Sequence, residues 1–156
     1  ANLVWSPVSN LTLYGATADI PGALAAGVNV ALAPDWTESG ANDLLAEMKI
    51  ADGWSQIHWG GLLTPEILAE MVTVNAAEAL GMSDIRGSIQ PGLRADLMVI
   101  PGDAADSYAA LLAADPVDVM LTVISGRPAI AYDIAGLEDP AFQVFFLFIK
   151  KIDRDT

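Results

Sequence analysis

The run AAGVNVALAP, residues 25–34, ends at a single carboxylate, Asp35, which is followed by Trp36 and the turn-forming stretch Thr37-Glu38-Ser39-Gly40. A buried strand that delivers one ionised group at its tip is a costly arrangement unless that group has something to bind. Such a carboxylate does chemistry by holding a partner or by carrying a proton, and a strand tip mounts it more rigidly than a loop does. The plain alternatives are a cap for the segment that begins near Ser39 and a solvated strand end. Trp36 either lines a substrate mouth or is ordinary packing. Ser9 and Asn10 follow an earlier short strand and either contact a substrate or fix their loop by bonds to backbone, the structural role being favoured.

The elements that must position these residues follow from periodicity and punctuation. NLVW (2–5) reads as a short buried strand. SPVSN reads as a loop, with Pro7 as a breaker. Residues 17–26 read as a helix with Thr17 or Asp19 as cap, Pro21 in the first turn and Gly27 at its end. VNVALA (28–33) is a continuous apolar run of the kind that a strand covered on both faces shows. Leu44, Leu45, Met48 and Ile50-Ala51 recur at helical spacing, which leaves Glu47 and Lys49 on a solvated face. Thr64-Pro65 starts a helix that runs to Gly81. RADLMVIPG supplies a strand, DSYAALLAA (106–114) a short helix, and residues 117–132 a hairpin turning at Ser125-Gly126-Arg127. Arg94-Ala95-Asp96 sets a strand and turn and carries no chemistry. The tail 133–156 is undecided between strand and helix. The order of strands and helices is that of an α/β architecture, with functional loops at the C-terminal ends of the strands. A soft boundary falls near residue 86, giving segments 1–86, 87–132 and 133–156.

Composition narrows the function. The chain has 156 residues, no cysteine and a net charge of −13. A disulfide scaffold and a thiolate metal site are excluded. Nucleic acid is an unsuitable partner for seven scattered basic residues. No stretch is long and apolar enough to be a membrane span, and no signal peptide is evident, so the expected location is cytoplasmic. The first residue is Ala, which points to processing or to a longer parent protein.

Four stretches, SPVSN, AAGVNVALAPDWTESGANDLLAEMKIA, EMVTVNAAEALGM and GSIQPGLRADLMVI, resemble in order and spacing the C-terminal portion of the metal-dependent amidohydrolase superfamily, in its deaminase and chlorohydrolase branch. The last stretch resembles the family pattern G-x-I-x-x-G-x-x-A-D-L. The resemblance covers roughly residues 1–130. It implies a C-terminal fragment of a (β/α)8 barrel, with NLVW and VNVALA as its last two strands, the helices at 41–52 and 64–80 after them, and residues 87–132 as the C-terminal share of a small β-sandwich. It implies that Asp35 touches a divalent metal, zinc by family habit, and shuttles protons to and from the water on it. Trp36 and Asn10 become candidate substrate contacts. The reaction class would be attack on an sp² carbon bearing a leaving group, as in deamination of a ring amidine or opening of a cyclic amide.

This chain departs from the family pattern in its ligands. The family draws its other ligands from histidines, and the chain holds one, His58. It falls in a Trp- and Gly-rich link between helices, in the wrong place for a ligand. One carboxylate and no suitable imidazole do not make an open three-ligand site. The missing histidines are therefore expected on the N-terminal barrel portion, and the fragment alone is expected to be inactive. The partners expected are that portion and a small-molecule substrate, with a homo-oligomer left open. The competing possibility is a non-catalytic interaction subunit that docks through residues 117–132 and the apolar FFLF cluster. A nucleotide-binding domain is set aside for want of a glycine-rich phosphate loop.

Overall fold

A computed structural model of the protein describes residues 1–102, 104–131 and 142–145. Strand β1 (Asn2–Trp5) pairs in parallel with β2 (Asn29–Leu32), with Trp5 opposite Leu32. Helices α1 (Pro7–Tyr14) and α2 (Ile20–Ala25) make the connection. Helices α3 (Leu44–His58), α4 (Pro65–Val72) and α5 (Val74–Ala79) follow β2. Strand β3 (Leu97–Pro101), helix α6 (Ser107–Ala113), β4 (Leu121–Ile124), β5 (Arg127–Ala131) and β6 (Phe142–Phe145) complete the described chain. The last four strands form an antiparallel sheet in the order β5-β4-β3-β6.

The α/β expectation holds, and local chemistry explains most boundaries. Asp19, Asp43, Thr64 and Asp106 each accept a backbone N–H of the first turn of α2, α3, α4 and α6. Ser125 and Gly126 both take positive φ, 51° and 77°. That pairing is the primed turn whose twist suits a two-residue hairpin.

Three expectations need correction. SPVSN is not a loop. Pro7 occupies the first turn of α1, where its missing N–H costs nothing, so it starts a helix rather than breaking one. The helix expected over 41–52 runs from 44 to 58, which makes His58 its last residue and not part of a link. The helix expected over 64–80 is two helices, broken at Thr73, where φ is −123° and ψ −93°. There the Thr73 hydroxyl donates back to the Ala69 carbonyl at 2.7 Å, a bond that competes with regular helix. The break lets Asn75 at the start of α5 donate to the Val30 carbonyl and accept from the Asn29 side chain, tying α5 to β2. In the tail, residues 142–145 form β6; the rest of 133–156, including most of the FFLF cluster, lies outside the described residues.

The core lies between β2 and α3, α4 and α6. Trp5, Val30, Leu32, Met48, Leu68 and Met71 are buried in it, and the same cluster continues into Met98, Ile100 and Leu111. Trp5 anchors it from β1. Its ring lies 5.6 Å from that of Trp59, and its Nε1 donates to Thr17 Oγ1 at 2.6 Å.

Candidate active site

Asp35 stands three residues past β2, and Ser9 four residues past β1. Because the two strands are parallel and in register, both residues lie beyond the same, C-terminal edges. The Ser9 hydroxyl donates to Asp35 Oδ2 at 2.8 Å. Ser9 is buried and Asp35 exposed, so the carboxylate is held from below and open above. The Ser9 hydroxyl, and then the Trp36 backbone, hold its pKa below the ordinary value of 3.8. Asp35 is therefore ionised at neutral pH.

The turn after it folds back on it. Gly40 N–H donates to the Trp36 carbonyl at 2.7 Å. A Cβ on Gly40 would meet the Asp35 backbone nitrogen at 3.0 Å, so any side chain there would push against the Asp35 backbone and loosen the tight closure of residues 35–40.

Glu47 is the principal correction at the site. It does not lie on a solvated face; it is fully buried. Its Oε2 accepts the Val8 N–H at 3.1 Å and its Oε1 the Ala41 N–H at 3.1 Å. Val8 immediately precedes Ser9, and Ala41 immediately follows Gly40. Burial pushes the Glu47 carboxyl up, the two N–H donors pull it down, and the charges of Asp35 and Asp43 push it up again, leaving it above the ordinary 4.5. A sequence signal for this burial existed. Glu47 stands three residues after Leu44 and four before Ala51, within the apolar stripe of α3 and not opposite it.

The other candidates are placed as follows. Trp36 is 69% exposed and adjoins Asp35. Asn10 is half-buried, and its Oδ1 accepts from Thr17 Oγ1 at 3.2 Å, in the chain that begins at Trp5. Glu38 is exposed and accepts from its neighbour Thr37. Lys49 pairs with Asp115 across to the residues after α6. His58 is exposed and stacks on Trp54 with ring centroids 3.9 Å apart. Asp96 is buried against Arg86. Among the described residues, no group of three or more His, Asp or Glu side chains could hold a metal ion, and no helix is long and apolar enough to cross a membrane. The described chain thus brings one carboxylate to the strand edge.

Comparison with known proteins gives this geometry a context. The model of the amidohydrolase family matches residues 2–129. A 5-methylthioadenosine/S-adenosylhomocysteine deaminase of Acetivibrio thermocellus is 36% identical over 108 residues, covering 65% of this chain and 24% of the relative. An S-triazine hydrolase of Gordonia rubripertincta is 35% identical over 102 residues, covering 60% of this chain and 20% of the relative. Among solved structures, an adenosine deaminase from Xanthomonas campestris with bound zinc superposes with a TM-score of 0.75 at 26% identity, covering 90% of this chain and 36% of that one. The chain thus spans a quarter or less of the length of these two curated relatives. A family match over most of the chain, and a shared fold with Asp35 and Ser9 at one strand edge, make this chain a member of the amidohydrolase family.

Proposed function

We propose that this chain is the C-terminal part of a metal-dependent hydrolase acting on non-peptide carbon–nitrogen bonds. In this reading β1 and β2 are the last two strands of a (β/α)8 barrel. The sheet β5-β4-β3-β6 is the C-terminal share of a small β-sandwich. The observation that carries the reading is the Ser9–Asp35 bond beyond the C-terminal edges of two parallel strands. Support comes from relatives named as deaminases and a triazine hydrolase, and from a zinc-bound neighbour of the same fold.

The residues present fit one ligand position of a divalent metal. Asp35 is an exposed, ionised oxygen donor, and its imidazole co-ligands would come from polypeptide outside this chain. When bound, such a metal lowers the pKa of water to about 7 and so supplies the nucleophile at neutral pH. Asp35 takes up a proton at its carboxylate and returns it to the leaving amine. Ser9 fixes the orientation of that carboxylate and keeps it anionic between transfers. Trp36 offers an exposed indole face beside Asp35 to a planar heteroaromatic substrate. Asn10, within α1, accepts a hydrogen bond from Thr17, in keeping with the structural role favoured for it from the sequence.

The test is ammonia release by the zinc-loaded full protein from 5-methylthioadenosine, S-adenosylhomocysteine and adenosine. Asp35→Asn is expected to lower kcat by roughly 10²–10⁴-fold, the usual worth of a general acid–base group. No ammonia from any of the three substrates, or an Asp35→Asn variant within tenfold of the native rate, would sink the reading.

A further inference from the structure

We propose that Glu47 is a positioning residue for Asp35, its buried carboxylate tying the start of α1 to the end of the 35–40 turn and thereby setting the Ser9–Asp35 bond. The inference rests on the role of Asp35 proposed above and deepens it. Three observations carry it.

The first is connectivity. One oxygen of Glu47 accepts the N–H of Val8, the residue before Ser9, and the other accepts the N–H of Ala41, the residue after Gly40. The segments that carry the two ends of the Ser9–Asp35 bond are thus both pinned to a single side chain on α3. The second is the absence of a local need. Val8 lies in the first turn of α1, and Ser6, at the N-cap position, makes no side-chain cap bond. A serine there is the usual way to satisfy such a donor. A buried carboxylate from 39 residues away does the work instead, at the desolvation cost that a hydroxyl cap avoids. What the carboxylate adds is its second oxygen, which reaches Ala41 at the end of the 35–40 turn. The third is rigidity. Glu47 is fully buried, and the turn it closes has Gly40 packed on the Asp35 backbone, so a shift of Ala41 is passed to Asp35 with little slack.

The experiment uses the zinc-loaded full protein and 5-methylthioadenosine, together with crystal structures that need no substrate. Glu47→Gln keeps the length and the shape but turns an amide NH2 towards one of the two N–H donors. It is expected to lower kcat roughly 10- to 100-fold, as a displacement of about 1 Å at a reacting group does. KM and zinc content should stay within about twofold, and the Ser9 Oγ–Asp35 Oδ2 separation should open past the ~3.5 Å limit of a hydrogen bond. Ser55→Ala is the matched control. It removes a buried bond on the same helix, that from the Leu63 N–H, without touching α1 or the 35–40 turn, and should leave kcat unchanged. The inference is overturned by a Glu47→Gln variant with native kcat and an intact Ser9–Asp35 bond, or by an equal loss of kcat in Ser55→Ala. Should Glu47→Gln not fold, Glu47→Asp carries the same comparison, and misfolding of both assigns Glu47 to stability alone and overturns the positioning role. Asp35→Asn separates the two levels: native activity there defeats the role of Asp35, whereas its loss beside a silent Glu47→Gln defeats only the present inference.

Discussion

Replacing Asp96 by alanine cuts two ties at once. Asp96 is 2% exposed. Its Oδ2 lies 3.0 Å from Arg86 Nη1, and its Oδ1 accepts the Ser125 N–H at 2.6 Å. The residue therefore joins the turn before the 87–96 segment to the β4–β5 hairpin. Removing one partner of a buried ion pair costs about 3–5 kcal/mol because the other charge stays behind. Here the Arg86 side chain is 13% exposed, so partial hydration brings the cost to the lower end of that range. The Ser125 N–H adds little, since water reaches that exposed turn. We expect about 3–4 kcal/mol for Asp96→Ala. Asp96→Asn keeps an oxygen for Ser125 and should lose about 2–3 kcal/mol. The measurement is native-state hydrogen exchange of the amides of β4 and its turn in the full protein, which reads local opening without global unfolding. At 1.36 kcal/mol per decade, Asp96→Ala should speed their exchange by roughly 10²- to 10³-fold, with Asp96→Asn slower than it. An increase below about tenfold would refute the reasoning, because it would mean that the hairpin is held by its strand pairing alone.

Two further outcomes are expected. The raised pKa of Glu47 means that the native state binds more protons than the unfolded chain between 4.5 and the folded value. The stability of the native protein relative to Glu47→Gln is therefore full below 4.5 and falls as pH rises through the folded pKa; paired urea midpoints from pH 4 to 7 check the sign, and a rising difference contradicts it. Thr17→Val leaves the indole N–H of Trp5, a residue 1% exposed, without its acceptor. It should cost about 1–3 kcal/mol, seen as faster hydrogen exchange across β1, with Thr17→Ser restoring the native rate.

The legible parts of this protein are those written within a few residues. Asp35 stood out because an apolar run leads up to it, and the structure places it three residues past β2, beside Ser9. Thr64-Pro65 announced α4 and Ser125-Gly126 announced the hairpin, because a cap, a fixed proline φ and a primed turn act through their immediate neighbours. Pro7 was equally local and still misleading, since the same ring breaks a helix in its interior and begins one at its first turn. Thr73 was harder. Nothing in ILAEMVTVNAAEAL interrupts the helical period, and the break goes with the bonds of Asn75 to β2, 45 residues away.

The sequence by itself determined the apolar strand that precedes a carboxylate, the caps that start α2 and α4, and the presence of a single histidine. Only the tertiary structure decided that Ser9 holds Asp35 from 26 residues away, and that the two oxygens of Glu47, within the apolar stripe of α3, reach the first turn of α1 and the end of the 35–40 turn. The physical reason is range. Capping and periodicity are settled by contacts inside one turn, whereas a buried carboxylate is tolerated only when packing brings distant N–H groups to both of its oxygens.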